Sequence, residues 1–233
     1  MSNSQTGDNT DLECIRSLNW KNRDNINYYE NIPVDVLREL AIMGGLETGC
    51  DIDLIYEYIA TKTSILEVGA AYGRVIRNIL ERGYSGKLCA IERSANFYKH
   101  LFAQFCDKAH IIHADFESLQ PSKKVDIVLS MWSGISEFPK EQQLAIIKKM
   151  LSWLKPNGLA ILDTISRTLI PKNVTVCKNQ TYIVHSEYGT AYGYTPSNEE
   201  IDEYAKQLGI KNIRHINYKT TAGRDRVLHI LSI

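Results

Sequence analysis

The chain has 233 residues, of which 44% are hydrophobic and 23% charged, with 27 basic and 27 acidic side chains. This length predicts one domain with a sizeable core, and the balanced charge argues against nucleic acid or an anionic membrane as the main partner. The five cysteines are scattered singly and no apolar run could span a membrane, so we expect a cytoplasmic protein without a metal site.

The first 61 residues lack the alternation of strands and helices that follows them. Residues 1–11 have no apolar pattern and are expected to form a flexible tail. Residues 12–61 are expected to form a helical segment, with helical spacing over Val34–Leu46 and again from Asp51. Aromatic residues among polar ones favour a lid over bound ligand rather than a core helix: Trp20, Tyr28 and Tyr29.

From residue 62 to the last residue the pattern predicts a single α/β domain. Short apolar runs alternate with helical stretches, which is typical of a doubly wound, mostly parallel sheet. The first five predicted strands are Ser64–Val68, Leu88–Glu92, His110–Ala114, Val125–Trp132 and Leu159–Ile165.

The alternation is interrupted after the fifth predicted strand. Residues 167–196 form an expected insertion, with an extra strand at Thr181–Glu187. Ser197 and Glu200 then have the spacing of a capping box, which predicts a helix start. Two closing strands are predicted at Ile213–Tyr218 and Val227–Ile233.

The stretch SILEVGAAYGR, Ser64–Arg74, places a small-residue loop directly after the first strand. A dinucleotide-binding turn needs glycines at offsets zero, two and five, but Arg74 occupies the fifth offset here. A phosphate-binding Walker loop is also excluded, because no Gly-Lys-Ser/Thr follows. The two best-known phosphate-binding interpretations of this loop are therefore disfavoured.

The segment Glu67-Val-Gly-Ala-Ala-Tyr-Gly resembles the first motif of class I S-adenosylmethionine-dependent methyltransferases. The resemblance implies that Glu67 faces the ammonium of S-adenosylmethionine and that Gly69 and Gly73 let the ligand approach the backbone. Ala71 replaces the middle glycine of the motif, so a positive φ at that position would be strained.

Later residues extend this resemblance to most of the chain. Glu92 ends the second strand, where the family places a carboxylate on the ribose hydroxyls, and Asp115 and Phe116 follow the third, near the adenine. Ser130 ends the fourth strand and completes the expected cofactor contacts. The family also implies a seven-stranded sheet whose last strand alone is antiparallel.

The methyl acceptor is expected to be a small molecule. The fourth strand ends in Ser-Met-Trp-Ser-Gly, which differs from the motif of the amino-methylating DNA and protein-glutamine enzymes. The expected acceptor wall comes from the N-terminal segment, the fourth strand and the insertion: Tyr28, Tyr29, Trp132, Tyr188, Tyr192 and Tyr194.

Methyl transfer is an in-line displacement that depends mainly on positioning and on excluding water. Should a base be needed, Glu137 and His185 are the expected residues, although His185 also fits a surface or packing role.

Three alternatives stay open: methylation of protein or RNA, non-catalytic binding of S-adenosylmethionine, and oxidoreduction with NAD. The oligomeric state is expected to be a monomer or a homodimer.

Overall fold

The computed structural model describes residues 20–166, 174–176 and 180–233. The expected tail, residues 12–19 of the N-terminal segment, Cys177 and most of the start of the insertion lie outside these ranges. Strands in the described part are β1 (Ser64–Val68), β2 (Lys87–Glu92), β3 (His110–His113), β4 (Val125–Ser130), β5 (Leu154–Ile165), β6 (Val174–Val176), β7 (Thr181–Ser186), β8 (Gly189–Tyr194), β9 (Asn212–Lys219) and β10 (Asp225–Ser232).

Helices flank these strands. In the described residues the α-helices are α1 (Ile26–Asn31), α2 (Val34–Gly44), α3 (Cys50–Ile59), α4 (Arg74–Glu81), α5 (Ala95–Phe105), α6 (Lys140–Ser152) and α7 (Asn198–Gln207). Short 3₁₀ turns cover Asn22–Asn25, Phe116–Ser118 and Gly134–Glu137. The predicted capping box is confirmed, since Ser197 and Glu200 cap the first turn of α7 reciprocally.

Seven strands form the central sheet in the order β3–β2–β1–β4–β5–β10–β9. The first five are parallel, whereas β10 runs antiparallel to both of its neighbours. The predicted doubly wound sheet with one antiparallel closing strand is therefore confirmed. Every residue of β1 is buried, including Ser64 and Glu67, because helices cover both faces of a parallel sheet.

Two details of the strands differ from the sequence prediction. β5 begins at Leu154, because Lys155–Gly158 form an irregularity inside the strand, with Asn157 at φ 62°, instead of a separate turn. Gly189–Tyr194 form β8, which pairs with β7 in a second, three-stranded antiparallel sheet. The sequence had predicted a single extra strand there.

Two large apolar clusters fill the two sides of the central sheet, and a third lies beyond its carboxyl edge. The third cluster joins α1 and α2 to α5 and to the β7–β8 hairpin, through residues such as Tyr28, Ile32, Leu37, Phe97 and Ala191. It therefore holds α1, α2 and the β7–β8 hairpin above the carboxyl ends of the strands. We call these three elements the roof. Among the helices described, none has the length and apolarity needed to cross a membrane.

Candidate functional site

A cavity of about 880 Å³ lies between the carboxyl ends of the strands and this roof. We call it the edge cavity. The loops after β1, β2, β3 and β4 line one part of it, and α1, α2 and the hairpin line the other. This is the edge at which open α/β sheets bind ligands, and the volume is in the range of small-molecule sites.

The loop after β1 has three residues with positive φ: Gly69 at 71°, Ala71 at 47° and Gly73 at 85°. Open space faces the position that a Cβ on Gly69 would take, and Gly69 lines the edge cavity. A Cβ on Gly73 would instead lie 2.5 Å from Phe105 and 2.7 Å from Leu101 of α5. Gly73 therefore packs closely against α5, whereas Gly69 borders the cavity. The expected approach of a ligand to both glycines remains a prediction.

Glu92 joins this loop to the end of β2. Its two carboxylate oxygens accept hydrogen bonds from the Ala71 and Ser94 N–H groups, both at 2.7 Å. Burial raises the pKa of Glu92 to about 7, although both backbone donors oppose that shift. The carboxylate lines the edge cavity, and it retains lone pairs for a ligand hydroxyl.

Glu67 lies at the end of β1 but not among the residues that line the cavity. It is buried, and its Oε2 has no hydrogen-bond partner in the described part of the chain. Burial raises its pKa well above the ordinary value, while the Arg74 guanidinium favours the ionised form. The expected contact between Glu67 and a ligand ammonium remains a prediction.

Arg74, whose size excluded a dinucleotide turn, is buried at the start of α4. Its guanidinium binds both carboxylate oxygens of Asp51 on α3, at 2.9 and 2.7 Å, and donates to the Leu46 carbonyl at 2.7 Å. The bidentate pair ties the loop after β1 to the N-terminal helices.

Three other expected cofactor residues line the edge cavity: Asp115, Phe116 and Ser130. The Asp115 carboxylate accepts from the Glu117 N–H at 2.8 Å and so caps the short turn after β3. The Phe116 ring is buried beside Trp153, with ring centroids 6.2 Å apart. These contacts fix the positions of Asp115 and Phe116 beside the cavity.

The loop after β4 contains two consecutive non-glycine residues with positive φ, Trp132 at 50° and Ser133 at 64°. The buried Asp163 carboxylate accepts from the Trp132 N–H at 3.0 Å and from Arg226 Nη2 at 2.6 Å. Arg226 also donates to Ser133 Oγ at 2.8 Å, and the Tyr218 hydroxyl donates to Asp163 at 2.9 Å. Asp163 is thus committed to this network, and no group able to hold a metal occurs among the described residues.

The part of the cavity under the roof is rich in tyrosine. Five tyrosines line it together with Trp132: Tyr28, Tyr29, Tyr182, Tyr188 and Tyr192. The carboxylate of Glu137 raises the pKa of three of these tyrosines, Tyr28, Tyr29 and Tyr182. It pairs with Arg93 at 3.2 Å, and the Tyr29 hydroxyl lies close enough to favour its ionised form. Desolvation raises the pKa of Glu137, with Arg93 and Tyr29 opposing the shift.

Besides Glu67 and Gly73, two further expected residues lie outside the cavity. His185 alternates with Val184 and Ser186, which do line it, so the His185 side chain is exposed on the other face of β7, 3.4 Å from Thr190 Oγ1. The structure therefore does not bring His185 to the site. Tyr194 is buried and donates to Glu200, which gives it a packing role.

The structure adds residues that the sequence did not indicate. Asn25 is fully buried, exchanges hydrogen bonds of 2.8 and 2.9 Å with the Tyr192 backbone, and donates to the Glu137 carbonyl at 3.4 Å. Arg93 follows Glu92 directly, and Tyr182 shares a strand face with Val184. The alternation of side chains along β7 could have placed Tyr182 and Val184 on one face. It could not have shown which face of β7 lines the cavity.

Comparison with known proteins agrees with this geometry. Residues 65–158 match a family model described as "Methyltransferase domain". A curated relative, protein arginine N-methyltransferase 6 from Danio rerio, is 25% identical over 120 residues, which are 50% of this chain and 34% of that protein. The chain therefore spans about a third of the length of that relative.

Solved structures share the fold at low identity. The S-adenosylmethionine-dependent methyltransferase from Clostridium acetobutylicum ATCC 824 has a TM-score of 0.60 at 12% identity, over 80% of this chain and 90% of that one. The glycopeptide N-methyltransferase MtfA has 0.63 at 14%, over 78% and 88%. CalS10, an amino pentose methyltransferase from Micromonospora echinaspora, has 0.60 at 13%, over 83% and 96%.

Proposed function

We propose that this chain, whose fold is that of class I S-adenosylmethionine-dependent methyltransferases, methylates a small-molecule acceptor. The observation that carries the proposal is the edge cavity, which has a carboxylate and a glycine loop at the strand ends and a tyrosine wall under the roof. Two ligands that must meet for methyl transfer would therefore occupy one covered space. Covering the reacting groups excludes water and fixes their orientation.

The residues at the strand ends fit S-adenosylmethionine. Gly69 leaves open space where a side chain would stand, and Glu92 offers acceptor oxygens for ribose hydroxyls. Asp115 and Phe116 line the same part of the cavity and would hold the adenine. When bound, this cofactor supplies a sulfonium methyl group that is already activated for displacement.

A small acceptor is favoured by the roof, because α1 and the hairpin leave a cavity instead of an open groove. Two of the structural relatives are named for a glycopeptide and an amino pentose, which supports an acceptor of limited size. The arginine N-methyltransferase relative supports protein as the second candidate acceptor.

Isothermal titration calorimetry tests the cofactor. S-adenosylmethionine and S-adenosylhomocysteine should bind, whereas NAD and NADP should not. Binding of NAD in place of S-adenosylhomocysteine would contradict the proposal.

Mass spectrometry tests the acceptor. Metabolite, protein and RNA pools are incubated with the protein and S-adenosylmethionine, and a gain of one methyl group is expected among the metabolites. A gain confined to protein or RNA would favour the alternative acceptors. Cofactor binding without any methyl gain would indicate a non-catalytic binding protein.

A further inference from the structure

We propose that the acceptor presents an aliphatic amine, which Glu137 and the tyrosines around it receive in the edge cavity. This inference rests on the proposed function and names the chemical class of its acceptor. It depends on the part of the cavity under the roof, which the cofactor residues at the strand ends leave free.

Glu137 is held so that its carboxylate remains available inside the cavity. Glu137 is the last residue of the turn Gly134–Glu137 and lines the edge cavity under the roof. Its side chain is 29% exposed. Its hydrogen bond is with Arg93 Nη2, at 3.2 Å, and the nearby Tyr29 hydroxyl favours the ionised form. Because a carboxylate has about four lone-pair sites, it can accept a further donor.

The aromatic rings beside Glu137 suit a cation. Tyr28 and Tyr29 meet edge to face, with centroids 5.1 Å apart and planes at 87°. Tyr182 lies across β8, where a Cβ on Gly193 would approach its Cζ to 2.1 Å, so only glycine leaves room for this ring. Ring faces attract ammonium groups, and more strongly where water is excluded.

The arginines of the cavity argue against an acidic acceptor. Three arginines line it within the described ranges: Arg93, Arg224 and Arg226. Arg93 is paired with Glu137 and Arg226 with Asp163, while Arg224 is exposed. The arginine left for an acceptor carboxylate is therefore the solvent-exposed Arg224. An acceptor ammonium would instead meet the Glu137 carboxylate, which lies under the roof beside tyrosine rings.

The proposed transfer has an acceptor for the proton of the ammonium and for the electron pair of the broken bond. The bound ammonium passes one proton to the Glu137 carboxylate, which later returns it to solvent. The lone pair of the amine nitrogen then forms a bond to the methyl carbon. The carbon–sulfur bond breaks with its electrons on sulfur, which leaves S-adenosylhomocysteine and a methylated ammonium.

Calorimetry on the protein loaded with S-adenosylhomocysteine tests this inference without turnover. Two sets of ligands are compared. Phenethylamine, phenethyl alcohol and phenylpropionate share the phenethyl group, and cyclohexylmethylamine, cyclohexylmethanol and cyclohexylacetate share the cyclohexylmethyl group. We expect the amines to bind at least about tenfold more tightly than their partners, as expected for hydrogen bonds to a charged group. Equal or tighter binding of the alcohols or carboxylates, or no binding of either amine at millimolar concentration, would overturn the inference.

A pair of matched variants tests whether Glu137 causes the preference for amines. Glu137→Gln should lose the preference for amines, whereas Glu141→Gln, the same change at an exposed position of α6, should keep it. Both should bind S-adenosylhomocysteine as the unchanged protein does. An unchanged amine preference in Glu137→Gln would remove Glu137 from the acceptor site, whereas failure of the unchanged protein to bind S-adenosylhomocysteine would contradict the proposed function itself.

Discussion

At the residue scale, Glu92 is the side chain that we propose for recognition of the cofactor ribose. In the free protein its carboxylate holds the Ala71 N–H, and Ala71 has the strained φ of 47° that the sequence predicted would be costly. The same carboxylate therefore shapes the loop after β1 and lines the edge cavity.

We expect Glu92→Ala to weaken binding of S-adenosylhomocysteine at least about tenfold, since each hydrogen bond to a charged group contributes roughly 1.5–3 kcal/mol. Calorimetry measures the change, and circular dichroism checks that the variant is folded. Glu57→Ala, at an exposed position of α3, is the control. Unchanged affinity in folded Glu92→Ala would place the ribose elsewhere.

Cofactor affinity should also depend on pH through Glu92. Ribose hydroxyls donate to the ionised carboxylate, so binding lowers a pKa that is about 7 in the free protein. Affinity for S-adenosylhomocysteine should therefore rise between pH 6 and 7 and level off above pH 8. The same titrations on Glu92→Gln should show a flatter profile, and an equally steep profile in that variant would assign the effect to another group.

At the element scale, the ends of β5 and β10 hold the loop after β4. Asp163 and Arg226 lie on these antiparallel neighbours and together fix Trp132 and Ser133, both with positive φ. Such conformations cost on the order of 1–3 kcal/mol each and persist only where surrounding contacts determine them. The buried ion pair supplies those contacts beside the cavity.

Arg226→Met should lower the free energy of unfolding by about 3–5 kcal/mol, because it leaves the Asp163 carboxylate buried without its cation. Arg224→Met, two residues away and exposed, should change it by no more than about 0.5 kcal/mol. Urea unfolding followed by fluorescence compares the two. Similar losses in both variants would mean that the pair does not stabilise this loop.

At the scale of the whole molecule, the described part of the N-terminal segment is docked on the rest of the domain. Trp20 is buried and stacks on Tyr192 with centroids 6.1 Å apart, and the Glu30 carboxylate accepts from the Ala95 N–H at the start of α5. Asn25 adds the hydrogen bonds to β8 described above. Whether this segment opens as a lid remains a proposal.

Limited trypsin digestion tests it at the Arg23–Asp24 bond, which lies inside the segment. Asn25→Ala should be cut there faster than the unchanged protein, because it loses buried hydrogen bonds, whereas Asn31→Ala, at an exposed position of α1, should not. A lid also requires that S-adenosylhomocysteine slow this cleavage in the unchanged protein. Equal rates with and without the ligand would make the segment a permanent part of the structure.

The sequence predicted those parts of the fold that depend on residues adjacent along the chain. The buried run of β1, the glycine loop after it and the capping box of α7 all follow from neighbours in sequence. The pairs Arg74–Asp51 and Arg226–Asp163 join residues 23 and 63 positions apart, so no local pattern could indicate them. For the same reason the sequence could propose His185 for the site but could not show which face of β7 meets the cavity.

The edge cavity is assembled from two sources along the chain. Its strand-end part falls within residues 65–158, which match the family model, whereas most of its tyrosine wall comes from the flanks on either side. We therefore infer that separate segments of the chain encode the proposed cofactor site and the proposed acceptor site. We expect substitutions in α1 or in the hairpin to change the acceptor that we propose and to leave binding of S-adenosylmethionine unaltered.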